Sequence, residues 1–432
     1  MKILKQVMMV LLLTVSLAAE TIEERLPQQS VKSFILKKEL EFISNRKQAK
    51  LYKRSMHSFY SPWYRKRPYY KKRDVKWAFS AYKSHRGYGE NYQRHSKKFM
   101  EDILYNADLF SYPNWITKAI VVKNTSLRLV PTMKPHFSDT VDPVKKYPFD
   151  NFQNIFIKAN TPVLVTHITR KKDWFLVETN FGIGWLKSEA VAFVNKEFMD
   201  TFKRKQYLTF LKDNVALLNQ KGWFLMYAKI GMQMPVFELK KDGFIAGLVI
   251  KGRNNYARLE EVFISKNQAA LKPLDFTYQN VAKLADEMIG QPYGWGGLYG
   301  NRDCSMLTMD LLAGFGFSLP RHSKAQAKYG GKFISLKNLS NQSKINKIKT
   351  QGKPFRTLIW MPSHIMFYIG QDIKTDKPLI YHSIWGIKAI LDDKSEDVKI
   401  IGKTIVSTLT VGTDVFGIKE NLIDKVEGMC VL

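Results

Sequence analysis

The spacing of apolar residues changes once along this chain, and that change limits what it can fold into. Over residues 119–122, 162–165, 174–177 and 182–186, β-branched and aromatic residues form short runs bounded by turn residues. A second set follows at 234–237, 244–250 and 256–259. Short runs of this kind predict strands, and two consecutive all-strand units of about 80 residues predict paired small β-barrels. From Phe276 the pattern becomes helical: Val281, Leu284, Ala285, Met288 and Ile289 share one face, and Gly290 and Pro292 stop it. A Gly-rich loop leads to a second helix with Leu307, Leu311, Leu312 and Phe315 on its apolar side, and two strands follow at 365–369 and 379–384. Helices before sheet within one unit is an α+β order.

The chain has 432 residues, which suggests about three domains. Its 45% hydrophobic content excludes wholesale disorder. Two cysteines, Cys304 and Cys430, exclude a disulfide framework or a Cys-rich zinc site, so packing must hold the fold. Cys430 is expected as a free thiol in a packed tail helix around Leu422, Ile423 and Val426. No His-x-Glu-x-x-His-type cluster occurs, and neither a metal nor a cofactor is expected.

Lys2 and Lys5 precede an apolar run and the small-x-small site Ser16-Leu17-Ala18, the pattern of a secretory signal peptide over residues 1–18. No later segment approaches the roughly 20 apolar residues of a membrane span. The expectation is an exported protein of the periplasm or cell envelope, and a monomer. Export bears on the net charge of +30. Half of that excess falls between Asn45 and Lys98, where 17 Lys/Arg meet only Asp74 and Glu90. Aromatics interleave with the basic residues there: Phe59, Tyr60, Trp63, Tyr64, Tyr69, Tyr70 and Trp77. Such interleaving suits single-stranded nucleic acid, but export favours anionic envelope polymers as partners, or a basic face that only solvates.

Chemistry concentrates at Asp303-Cys304-Ser305, where the Gly-rich loop meets a helix. Asp303 is a candidate N-cap, which puts Cys304 in the first helical turn. Unpaired N–H groups at a helix start stabilise a thiolate and are expected to lower the thiol pKa; an inert buried thiol is the alternative. His364 opens one predicted strand and His382 lies on the next, so adjacent strands can bring their rings together. A sulfur nucleophile needs a base, and the base needs a group that fixes its tautomer. In chain order, Cys304, His364 and His382 fill those roles.

The string from Gly290 to Gly297 (Gly-Gln-Pro-Tyr-Gly-Trp-Gly-Gly), with Asp303-Cys304-Ser305, resembles the NlpC-type cell-wall peptidases, papain-like cysteine hydrolases. Residues 319–323, 363–370 and 382–386 resemble the family's further motifs in order. Phe59–Trp63, residues 127–132 and residues 184–186 more weakly resemble the branch with an N-terminal stabilising segment and two bacterial SH3-like domains. The resemblance implies an α+β architecture: signal peptide 1–18, basic stabilising segment 19–113, SH3-like barrels 114–195 and 196–272, and a papain-like domain 273–432. It implies hydrolysis of peptidoglycan stem peptides (L-Ala-γ-D-Glu-diaminopimelate) at the γ-D-glutamyl bond. Cys304 would attack, with His364 as base, His382 orienting it and Tyr293 helping to hold the oxyanion. Asp303 and Ser305 match positions that bind the free amine of L-alanine, and Arg321 is a candidate carboxylate contact. Met306 and Ser363 stand where the family commonly has Gly, and Met306 is expected to alter the pocket floor. Two alternatives stay open: a non-catalytic wall-binding protein, and an N-acetylmuramoyl-L-alanine amidase using the same residues.

Overall fold

The computed structural model describes residues 22–34, 43–83, 86–204, 206–390 and 396–432. The expected signal peptide lies outside them. Among the described residues, no helix is long and apolar enough to cross a membrane.

The basic N-terminal region is mainly helical. Ser44 and Ser96 cap Asn45–Phe59 and Lys97–Ala107 by accepting the N–H of Lys47 and Phe99. Its aromatic residues divide by role. Phe59, Tyr60 and Trp63 are buried in a seam with Ile120, Ala192, Phe202, Tyr207 and Val249, which joins both β-units. Trp63 Nε1 donates to the Ala119 carbonyl at 2.7 Å. These rings are therefore packing elements and form no open stacking platform. Tyr64, Tyr69 and Trp77 remain exposed.

The first SH3-like unit comprises β1 (Thr117–Val121), β2 (Thr125–Arg128), β3 (Gln153–Ile157), β4 (Pro162–Ile168), β5 (Trp174–Glu178), β6 (Ile183–Lys187) and β7 (Val191–Phe193). Its sheet order is β3-β2-β6-β5-β4-β1-β7. The second comprises β8 (Tyr207–Phe210), β9 (Val215–Leu218), β10 (Phe224–Ala228), β11 (Gln233–Leu239), β12 (Gly243–Lys251), β13 (Ala257–Ser265) and β14 (Ala269–Lys272). There, β13-β12-β11-β8-β14 and the β10-β9 hairpin enclose Leu208, Leu217, Met234, Leu248 and Ile264.

The C-terminal unit places helices Tyr278–Asp286 and Cys304–Ala313 against an antiparallel sheet ordered β15-β20-β16-β17-β18-β19. Its strands are β15 (Lys332–Ser335), β16 (Thr357–Met361), β17 (His364–Gln371), β18 (Pro378–Ile390), β19 (Glu396–Thr408) and β20 (Gly428–Val431). One core joins the two helices to Ile365, Phe367, Ile369, Tyr381 and Val406, while Met366, Ile380, Ile384 and Ile405 belong to a second. The period of two along β17 and β18 thus feeds two cores at once. Cys430 is not in a tail helix: it is a buried residue of β20, paired with both Phe333 and Leu358. The sheet needed a strand between β15 and β16, and the β-favouring Met-Cys-Val end fills that slot.

Candidate active site

Asp303 initiates the helix Cys304–Ala313. One carboxylate oxygen accepts the Met306 N–H at 2.8 Å and the other accepts the Gly296 N–H at 3.1 Å, so one side chain fixes both helix start and preceding loop. Cys304, the first helical residue, is 7% exposed and opens on a cleft of about 1190 Å³. The backbone N–H groups of Ile365 and Ser305 act on its sulfur, both in the direction that favours thiolate. The sulfur therefore meets β17 at the residue next to His364.

His364 and His382 are joined. His364 Nε2 lies 2.9 Å from His382 Nδ1, with the rings 65° apart. His382 Nε2 in turn lies 2.9 Å from Ser407 Oγ on β19. The register explains the ladder: Ile380 faces Ser407 and Tyr368 faces Ile380, so residues two apart on these strands share a face and meet diagonally. Ser363 has φ +67°, a left-handed conformation that favours glycine, which accounts for the Gly common before the first His in the resembling family.

The electrostatics reverse one expectation. Burial, with a smaller contribution from the Asp303 carboxylate, pushes the Cys304 thiol up to about 12. Burial lowers His364 to about 4, partly opposed by Asp303, and carries His382 well below the ordinary imidazole value. The helix terminus favours thiolate, but desolvation outweighs it, and the free protein holds a neutral thiol and neutral imidazoles. Tyr293 is also pushed well above its usual value, by burial and then by Asp303 and Cys304, so its hydroxyl stays a donor.

Arg321 and Asp303 form a nearly buried ion pair, and Arg321 Nη1 also reaches Ser305 Oγ at 2.5 Å. Arg321 Nε is buried without a partner among the described residues. Asp303, Ser305 and Arg321 thus form one cluster on the cleft wall, with the carboxylate already balanced by the guanidinium. Met306 does not touch this cleft. It is 2% exposed and lines a separate small cavity between the domains, which corrects the expectation that it alters the pocket floor: a side chain three residues after the cap projects behind the helix start.

The opposite walls come from other domains. Tyr69, Tyr70, Arg73 and Trp77 of the N-terminal segment and Gln153, Asn154 and Ile183 of the first barrel line the same cleft. Buried Glu178 holds that segment in place by accepting the Tyr69 N–H at 2.9 Å, the Tyr70 N–H at 3.0 Å and Arg65 Nη1 at 2.9 Å. Gln153 Nε2 donates to the Gly296 carbonyl at 2.9 Å, clamping the loop before Cys304. At Gly297 a Cβ would stand 2.5 Å from Phe156 Cβ, and φ is +82°, so only glycine lets loop and barrel approach this closely.

Sequence profiles match four parts of the chain in order. The N-terminal NlpC/P60 stabilising domain matches 7–112, an SH3 domain of SH3b1 type 135–187, an SH3 domain of SH3b2 type 195–239, and the NlpC/P60 family 290–385. The chain carries an NlpC/P60 domain. Its fold is similar to that of an NlpC/P60 endopeptidase from Photobacterium damselae subsp. piscicida, with 24% identity over 94% of this chain and 97% of that one (TM-score 0.85). An NlpC/P60 family protein from Bacillus cereus matches at 15% identity over 73% and 99% of the two chains (TM-score 0.46). A comparison with curated proteins gives no match. Among the described residues no group of His, Cys, Asp and Glu could hold a metal ion.

Sequence reasoning missed Arg302, Gln153 and Glu178, whose partners are remote in sequence. The adjacency of Arg302 to the Asp-Cys motif of the NlpC/P60 domain was the only available signal.

The lowered imidazoles predict acid lability. Above pH 6.5, folded and unfolded rings are both neutral; below it, only the unfolded chain takes up protons. Stability should therefore fall as pH drops from about 6.5 to 4, by about 3 kcal/mol for His364 alone. Urea midpoints at pH 7 and pH 4.5 measure this. His364→Gln should flatten the difference, and an unchanged pH slope in that variant would contradict the assignment.

Proposed function

We propose that the protein is a cysteine endopeptidase of peptidoglycan stem peptides, cleaving the γ-D-glutamyl–diamino acid bond of L-Ala-γ-D-Glu-diaminopimelate. The observation that carries this reading is the meeting, at one cleft, of a cysteine on a helix start with a strand that opens on a hydrogen-bonded histidine pair. His364 takes the thiol proton as sulfur attacks the γ-carbonyl carbon, giving a tetrahedral oxyanion and an imidazolium. The Cys304 N–H and the protonated Tyr293 hydroxyl stabilise that oxyanion. The imidazolium then protonates the leaving amine as the C–N bond breaks, and water, deprotonated by His364, releases the acyl group from sulfur. Asp303 helps to stabilise the transient imidazolium, consistent with its upward pull on His364.

For substrate, we propose that Asp303 and Ser305 receive the L-alanine ammonium, and that the orphan Nε of Arg321 receives a carboxylate of the peptide. The walls supplied by the N-terminal segment and first barrel favour trimmed peptides over glycan-linked ones. We further propose export to the cell envelope, where the basic helices face anionic polymers.

Purified protein should cleave L-Ala-γ-D-Glu-diaminopimelate and yield the free diamino acid, whereas the N-acetylated tripeptide should react at least about tenfold more slowly, from loss of an ammonium–carboxylate contact. Equal rates on both would remove the amine-binding role, and release of a whole stem from muramic acid would identify an amidase.

A further inference from the structure

Ser407 lies outside the residues that the proposed chemistry uses, yet it ends the chain of contacts that begins at His364. It is buried on β19, with its Oγ 2.9 Å from His382 Nε2 and 3.1 Å from the Thr408 carbonyl oxygen. A carbonyl only accepts, so the single Ser407 hydroxyl proton goes to Thr408. Ser407 Oγ must then accept from His382, which places a proton on His382 Nε2. A neutral His382 so protonated has a bare Nδ1, and Nδ1 is the atom 2.9 Å from His364 Nε2. His364 must therefore donate through Nε2, which leaves its Nδ1 lone pair as the free acceptor.

We propose that Ser407 is a positioning residue that fixes the tautomers of both histidines, so that His364 offers Nδ1, unprotonated, to the Cys304 thiol. The inference rests on the peptidase reading for its catalytic consequence, but the tautomers themselves are independent of it. Burial gives this hydroxyl its weight. His382 is fully buried, and its charged surroundings are sparse: His364 is the ionisable neighbour that acts on it, while Asp303 acts on His364. Among the described residues no carboxylate acts on His382, so the neutral Ser–carbonyl pair dictates the tautomer. Without the hydroxyl, His382 can move its proton to Nδ1; His364 then accepts at Nε2 and carries its own proton on Nδ1, where it cannot receive another from sulfur.

The test has two arms. In full-length protein with ¹⁵N-labelled histidine at pH 7.5, the nitrogen shifts of His382, assigned with a His382→Asn variant, should show Nε2 protonated and Nδ1 bare. The opposite tautomer would overturn the proposal whether or not the protein cleaves anything. On the stem tripeptide, Ser407→Ala should lose roughly 10- to 100-fold in kcat with KM little changed, as expected for an outer partner of a working histidine. Ser407→Thr, which keeps the hydroxyl, should recover most of it. Wild-type kcat in Ser407→Ala would refute the role, and failure of wild type to cleave would fault the peptidase reading instead. Should Ser407→Ala not fold, the wild-type nitrogen shifts still decide.

Discussion

Replacing Cys304 by alanine should abolish stem-peptide cleavage, with a loss of at least about 10³-fold in kcat/KM, while the melting temperature stays within a few degrees of wild type. Alanine keeps the helix start, because the cap is Asp303 and its bond to the Met306 N–H does not involve the sulfur. What disappears is the proposed nucleophile. Cys304→Ser should be nearly as inactive: an alcohol is a far weaker acid than a thiol, and His364, lowered to about 4, is a weak base. Residual activity near wild type in either variant would show that the bond is broken by something other than this sulfur.

The largest stability effect is expected at Arg302, two residues upstream. Its guanidinium, 2% exposed, uses five N–H groups in five contacts. Nε donates to Asp310 at 2.8 Å, Nη1 to Asp213 at 2.5 Å and Gln291 at 2.7 Å, and Nη2 to Asp213 at 2.9 Å and the Ile230 carbonyl at 3.1 Å. Asp213 belongs to the second barrel, and Lys158 of the first barrel reaches Asp310 at 2.6 Å, so one buried ionic network ties both barrels to the helix Cys304–Ala313. Removing one partner strands the others without solvent. Arg302→Ala should therefore cost about 3–5 kcal/mol in denaturant unfolding. Arg302→Lys should recover little, since an ammonium cannot span two carboxylates and two neutral oxygens. Asp213 is held down to about 2 despite its burial, chiefly by Arg302, so this contribution persists at neutral and mildly acidic pH and is lost only as pH falls through that value. A loss under 1 kcal/mol for Arg302→Ala would mean that the barrels and the catalytic domain do not depend on this link.

Local rules made part of this molecule readable before its structure. Asp303 is an N-cap because Asp before an apolar helix almost has to be, and Cys304 consequently begins the helix. The runs at 162–165, 174–177 and 244–250 lie within β4, β5 and β12, because β-branched and aromatic clusters between turns leave few other options. The readings that failed required knowledge of what covers a residue. The helix terminus predicts a low Cys304 thiol, but its pKa follows desolvation, which depends on how the folded chain buries the sulfur. The aromatics at 59–63 suit a stacking platform or a solvated basic face in sequence, and only the barrels they contact make them a packing seam. Cys430 was misplaced because a four-residue strand at the chain end carries no periodic signal of its own. Likewise Ser407 is unremarkable in sequence and acquires meaning only through the register that sets it diagonal to His382.

The most direct measurement is acid-quench mass spectrometry of the wild-type protein, taken within the first turnover on L-Ala-γ-D-Glu-diaminopimelate. A thioester on the peptide containing Cys304, heavier by the L-Ala-γ-D-Glu acyl group, is the predicted result. Rapid turnover with every Cys304 peptide unmodified at all quench times, or an acyl group attached elsewhere, would contradict it.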